Sequence, residues 1–339
     1  MELTKDDTKM IQGLSVLAMV WLHLFDRSYA GLFQPVLFLF GIPLSFYIAQ
    51  LCDFCVMGFA FCTGYAHYLI SDDQDYISKR KKSLLRLLIK YWIVLAVFCA
   101  VSILAGKGDF MPGSWITLVQ SILAWSYAYN GAWWYLLVYI ILVIMSPWLQ
   151  KLVKKHSSAV ILIFGFAIYF IAYLIRFKFS VNSILLVRFG PFGTTLFEYL
   201  MGSVAAKEKY FTKVAGYMNK IGKTGKVLIC VSIIAALLLI HTLVIPSLFI
   251  APVTGLIILM IFHLWEKPET IRKAFLYVGN HSTHIWLTHM FFFWSPFKGL
   301  VYKAMYPVCI FGLLIGITLV VSIILTYAER IVYKTIKLI

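Results

Sequence analysis

Few residues of this chain are placed to do acid–base chemistry. Long apolar runs dominate it, and His23, Asp53, Glu198, His241, His263 and His289 are the ionisable groups in or at the edges of those runs. An ionisable group inside a bilayer is costly, so each is a functional candidate by default. His23 stands in Trp21-Leu22-His23-Leu24-Phe25-Asp26. On a helix, Asp26 would share its face. A carboxylate beside an imidazole fixes the tautomer and raises the basicity, which a general base requires. The same spacing also fits an interfacial histidine with Asp26 merely solvated. His289, in Ile285-Trp286-Leu287-Thr288-His289-Met290-Phe291, lies in a strongly apolar run and either serves structure or lines a cavity. His281 and His284 precede it and read as interfacial, while Asp53 and Glu198 read as pairing with each other or with cations.

The second chemical feature is basic. Lys79-Arg80-Lys81-Lys82, with Arg86 and Lys90, can be an ordinary cytoplasmic loop, or an anion site able to hold the phosphates of a cofactor such as coenzyme A. Cys52 and Cys55 have metal-like spacing but no second pair and no loop histidine beside them, so all six cysteines read as small buried hydrophobes and no metal is expected. Phosphate loops, dinucleotide fingerprints, nucleophile elbows and zinc-type His-Glu-x-x-His motifs are absent from the sequence, which argues against nucleotide hydrolysis.

These residues need elements to position them. Of 339 residues, 62% are hydrophobic and 13% charged, where a soluble domain carries about 25% charged residues. The fold expected is all-α, a polytopic transmembrane helical bundle forming a single membrane domain over 1–339. Spans of about 20 apolar residues are expected at 10–26, 52–70, 88–105, 132–150, 157–176, 191–206, 227–243, 248–265, 282–297 and 304–327. The pieces 33–50, broken by Gly41 and Pro43, and 115–128, too short to cross comfortably, are expected to be re-entrant or interfacial. Ten spans with both termini cytoplasmic put 23 of the 30 basic residues inside, leaving Arg27, Lys107, Arg176, Lys178, Arg188, Lys298 and Lys303 outside. Making either broken piece alone a full span would move several basic loops to the wrong face. The net charge of +16 therefore reads as membrane topology, not nucleic-acid binding; anionic lipid or a phosphorylated substrate suits those loops better. Lys5 and Lys9 lead into the first apolar run with no small-residue cleavage site after it, as an uncleaved first span would.

In order along the chain, these pieces resemble membrane acyltransferase family 3, bacterial proteins that move acyl groups, commonly acetyl, onto sugars of envelope polysaccharides or glycolipids. The resemblance starts with Gly13 and the apolar run to His23, and continues through Phe59-Ala60-Phe61-Cys62-Thr63-Gly64-Tyr65. Lys82-Ser83-Leu84-Leu85-Arg86 followed by Tyr91-Trp92 is similar to the family's basic cytoplasmic motif. Trp133-Trp134-Tyr135-Leu136 with Ser146-Pro147, and Ser282 to His289, resemble two later signatures.

The resemblance implies a multi-pass protein of the bacterial plasma membrane whose catalytic histidine is His23; the spacing then makes Asp26 the residue that orients it. It implies a donor acyl-CoA, for which Gln12, Arg80, Lys81, Lys82 and Arg86 are the candidate binding residues, and an acceptor that is an envelope polysaccharide or glycolipid. His289, Glu198 and Trp134 are further site candidates. Gln12 stands where relatives usually carry arginine or lysine, and Ser83 where a first arginine often lies; glutamine can hydrogen-bond a phosphate but not neutralise it. The rival expectation is a polysaccharide or lipid-linked-sugar transporter, or a non-catalytic membrane partner; the lack of visible internal repeats speaks against the transporter.

Overall fold

The computed structural model describes residues 2–26, 31–179, 183–244, 248–297 and 299–335. Arg27 and Lys298, expected above on the outer side, and Lys337, one of the basic residues expected inside, lie outside them. The chain is 80% helical. Among the described residues, six stretches are long and apolar enough to cross a membrane: Lys5–Phe25, Leu44–Ile70, Tyr76–Leu104, Gly131–Lys155, Ser158–Phe177 and Pro307–Thr335. Thr224–Leu239 and Leu248–Leu264 are shorter apolar helices. Many large apolar side chains on these helices point outward, Leu104 at 87% exposure and Val308 at 72% among them. That is the surface of a multi-pass membrane protein, in which lipid replaces water as the outer solvent.

Two expected elements are corrected. The second span begins at Leu44, not at residue 52: α2 (Leu44–Leu51) runs through a 3-10 turn, Cys52–Phe54, into α3 (Cys55–Ile70). The piece 33–50 therefore gives its second half to that span. Its first half ends in a two-residue hairpin, Phe38–Leu39 with Ile42–Pro43, where Gly41 supplies a φ of 79° and Pro43 precedes α2. The piece 115–128 contains only the eight-residue α5 (Trp115–Ile122), with Trp115 and Ile116 exposed.

The chain forms two compact units, each assembled from separated segments. The first comprises Met1–Asp26, Leu39–Gln74 and Ile144–Asn280. It holds α1 (Lys5–Phe25), α2, α3, the second half of α6 (Trp134–Lys155), α7 (Ser158–Phe177), α8 (Ile184–Lys207) and α9 to α11 (Tyr210–Met218, Lys223–Leu239, Ala251–Leu264). Its core is aromatic and sulfur-rich, built on Met57, Phe61, Tyr65, Tyr169, Phe197, Met201, Phe211, Leu259 and Phe262. Glycines let α3 and α8 meet backbone to backbone: a Cβ on Gly64 would strike the Tyr199 carbonyl, and one on Gly202 the Phe61 carbonyl. Beside that contact Gln150 Nε2 donates to Tyr199 Oη at 2.8 Å and Ser203 Oγ at 2.9 Å, and His67 Nδ1 bonds the same tyrosine at 2.9 Å.

The second unit comprises Arg27–Phe38, Asp75–Val143 and His281–Ile339. It holds α4 (Tyr76–Leu104), α5, the start of α6, the second half of α12 (Glu269–Phe293) and α13 (Pro307–Thr335). Phe98 stacks on Phe291 at 4.1 Å, and Tyr91 meets Trp133 edge-on at 4.8 Å. Tyr91 Oη donates to the Ser121 carbonyl at 2.6 Å and Trp92 Nε1 to that of Ile122 at 2.9 Å, so two adjacent aromatics of α4 hold the end of α5.

Candidate functional site

In the first unit, α1 is started by a capping box in which Thr4 and Asp7 satisfy each other's backbone N–H groups. Gly13 then lets the helix lie against the backbone of Phe275 and Gly279. Gln12 and His23 are eleven residues apart, about 16 Å along the axis and nearly in line on one face. One turn earlier on the helix, Lys9 Nζ donates to Gln12 Oε1 at 3.1 Å, which puts a positive charge beside the amide.

His23 occupies the last turn of α1 and is partly exposed. Its neighbours are anchored: Leu24 and Phe25 are buried, and Trp21 Nε1 donates to the Ser45 carbonyl of α2 at 3.1 Å. Asp26 is the C-cap residue: its backbone N–H donates to the Leu22 carbonyl at 2.9 Å, and its carboxylate accepts a hydrogen bond from Gln50 Nε2 of α2.

Deeper in the same unit, of the pairings expected for Asp53 and Glu198, with each other or with cations, Asp53 takes a histidine as its partner. Asp53, on the 3-10 turn between α2 and α3, lies 2.7 Å from His241 Nε2, and both are buried. His241 sits on a π-helical turn, Ile240–Val244, so two irregular turns present the carboxylate and the imidazole. Glu198 is buried on α8; its Oε2 has no hydrogen-bond partner among the described residues, and Arg176 and Asp53 are the charges acting on it.

In the second unit, α4 opens with the basic run. Lys81, Lys82 and Arg86 are exposed and Arg80 is partly covered. Ser83 and Arg80 both bear on Tyr139 of α6, and Tyr333 Oη of α13 donates to the Arg86 carbonyl at 3.2 Å. Trp134 begins α6 and meets Tyr135 edge-on, but its neighbour Trp133 is the deeply buried one, donating from Nε1 to the Leu287 carbonyl at 3.0 Å. His289 is fully buried, and its Nδ1 bonds the Trp286 and Ile285 carbonyls at 2.9 and 3.0 Å, within its own helix.

The same unit contains a polar cluster that the sequence did not suggest. His284, expected at the interface, is 2% exposed; its Nε2 bonds Glu329 Oε1 and its Nδ1 lies 2.9 Å from Ser322 Oγ. Lys90 Nζ is 3.2 Å from Glu329 Oε2, and His281 Nδ1 is 2.7 Å from the same serine oxygen. Glu329 follows the apolar run of α13 and looks in sequence like part of a solvated basic tail. The available clue is spacing: Ser322 and Glu329 are seven residues apart, as are two positions on one helix face, and His281 and His284 are three apart.

The arrangement thus supplies a partly exposed histidine at the end of α1, a basic run on α4 and two buried carboxylate–imidazole pairs. No curated protein and no solved structure shows a significant match to the chain. The model of acyltransferase family 3, described as an acyltransferase domain, matches residues 9–327, from Lys9 to Tyr327. That match spans the helix of His23, the basic run and the signatures of α6 and α12, and the chain belongs to this family of membrane acyltransferases.

Proposed function

We propose that the protein is an O-acyltransferase of the bacterial plasma membrane, moving an acyl group, acetyl by default, from acyl-CoA to a hydroxyl of an envelope polysaccharide or glycolipid. Family membership over residues 9–327 carries this reading. In the reaction His23 removes a proton from the acceptor hydroxyl, whose oxygen attacks the thioester carbonyl. The carbon–sulfur bond breaks and coenzyme A leaves. Asp26, tethered by Gln50, orients the imidazole. The donor's phosphates rest against Arg80, Lys81, Lys82 and Arg86, with Gln12 and its partner Lys9 as a further contact for a phosphate or carbonyl. In this reading ten helices cross the membrane and both termini are cytoplasmic, which leaves the basic run facing the acyl-CoA pool.

The test is incubation of the purified protein with labelled acetyl-CoA and a preparation of envelope glycan. Coenzyme A release with label appearing in the glycan is expected from the wild type, together with a raised KM when Lys82 and Arg86 are both replaced by Gln. Glycan movement without coenzyme A release would replace this reading with that of a transporter.

A further inference from the structure

We propose that Lys90 is a further binding residue for the donor, the inner end of a row of three cations on α4, where it takes the donor's pyrophosphate in competition with Glu329. The proposal rests on the acyl-CoA reading above and deepens it, by adding a cation to the donor site and a carboxylate that opposes it.

Lys82, Arg86 and Lys90 follow one another at intervals of four residues. On a helix such a series makes one row along a face, here about 12 Å long. Arg80 and Lys81 stand more than about 100° around the axis from Arg86, the middle of that row. Arg80 acts instead on Tyr139 of α6. The row runs from exposed to covered: Lys82 and Arg86 are exposed, while the Lys90 side chain is 27% exposed. α13 lies beside it in matching steps. Tyr333 Oη donates to the Arg86 carbonyl at 3.2 Å, and four residues earlier Glu329 Oε2 lies 3.2 Å from Lys90 Nζ. The Glu329 side chain is 4% exposed and is also bonded to His284 Nε2. All of these residues belong to the second unit.

Coenzyme A carries its charge in two places, a phosphate on the ribose and a pyrophosphate to which the pantetheine arm is attached. The arm ends in an uncharged thioester, which an apolar interior accepts, whereas the phosphates need cations or water. A donor laid along the row therefore keeps its ribose phosphate on the exposed side, by Lys82 and Arg86. Its pyrophosphate comes to the last cation before the covered part, Lys90. An ammonium has three hydrogens, so the one given to Glu329 leaves others for a phosphate oxygen. Two anions then share one cation and repel each other, and the carboxylate loosens the donor's hold. Stability is a poor reason for the pair, because desolvation offsets the attraction of buried ions. Its use lies in turnover: coenzyme A, the product, has the same phosphates as the donor, and Glu329 keeps it from being held too tightly to leave.

The test is calorimetric titration of coenzyme A into the full-length protein in lipid nanodiscs, repeated with dephospho-coenzyme A, which lacks the ribose phosphate. Lys90→Gln is expected to raise Kd about tenfold for both ligands, and Glu329→Gln to lower it severalfold for both. Lys220→Gln, an equal loss of charge at an exposed position of the first unit, is expected to bind as the wild type does. Opposite signs at the two partners are what competition for one cation requires; a merely structural pair would loosen binding in both variants or change neither. Where Lys90→Gln fails to fold with Glu329 left unpaired, Lys90→Gln/Glu329→Gln removes both charges. That double variant is expected to bind coenzyme A about tenfold more weakly than Glu329→Gln, and equal affinity in the two overturns the proposal. A Kd not raised in Lys90→Gln, or not lowered in Glu329→Gln, overturns it while a wild type that binds coenzyme A leaves the donor reading standing. An effect of Lys90→Gln that vanishes with dephospho-coenzyme A overturns the assignment to the pyrophosphate. A wild type that binds neither ligand overturns the donor reading and this role with it.

Discussion

At the residue scale, the proposed chemistry depends on how His23 and Asp26 are held. Asp26 caps the end of the helix and accepts a hydrogen bond from Gln50, which would help it orient the imidazole. Gln50→Ala is expected to lower kcat severalfold, because it loosens an orienter rather than removing the base; a kcat equal to wild type would discard Asp26 as orienter. His23 was legible from residue type and from its place near the end of an apolar run. Glu329 was not, because it lies just past such a run and its partners come from two other helices. Pairing across helices far apart in sequence leaves no local trace. For the same reason Asp53 and Glu198 stood out as buried carboxylates, while the actual partner of Asp53, His241, could not be chosen from the sequence.

At the element scale, hydropathy found the helices but missed how their ends are shaped. The break at Gly41 and Pro43 marked a real interruption, yet the span resumes at Leu44, because α2, the 3-10 turn and α3 follow one another without a loop. Close helix contacts in this protein rest on glycine. Gly64→Leu would push a side chain into the Tyr199 carbonyl, where neither backbone can yield. The expected cost is 1–3 kcal/mol or more, read as a lower thermal midpoint and reduced recovery of folded protein from the membrane. In the second unit Phe98, stacked on Phe291, is the corresponding aromatic anchor. Phe98→Ala is expected to destabilise by about 3–5 kcal/mol, and a midpoint unchanged within a degree would show that this stack contributes nothing to holding α4 against α12.

At the scale of the whole molecule, composition and charge made the protein legible as a multi-pass membrane protein, and the ordered motifs made its family legible. The basic loops then set the expected topology. In a variant lacking the six native cysteines, a cysteine at Ser78 should be labelled only from the cytoplasmic face and one at Asp109 only from outside. The reverse pattern would place the basic run away from the acyl-CoA pool and remove the donor site. Acyl transfer through His23 is tested most directly by label transfer from acetyl-CoA to envelope glycan by wild type and His23→Ala at equal folded amounts. A loss of about a hundredfold or more is expected in the variant, with an unchanged thermal midpoint. Equal rates of transfer in the two proteins would contradict it.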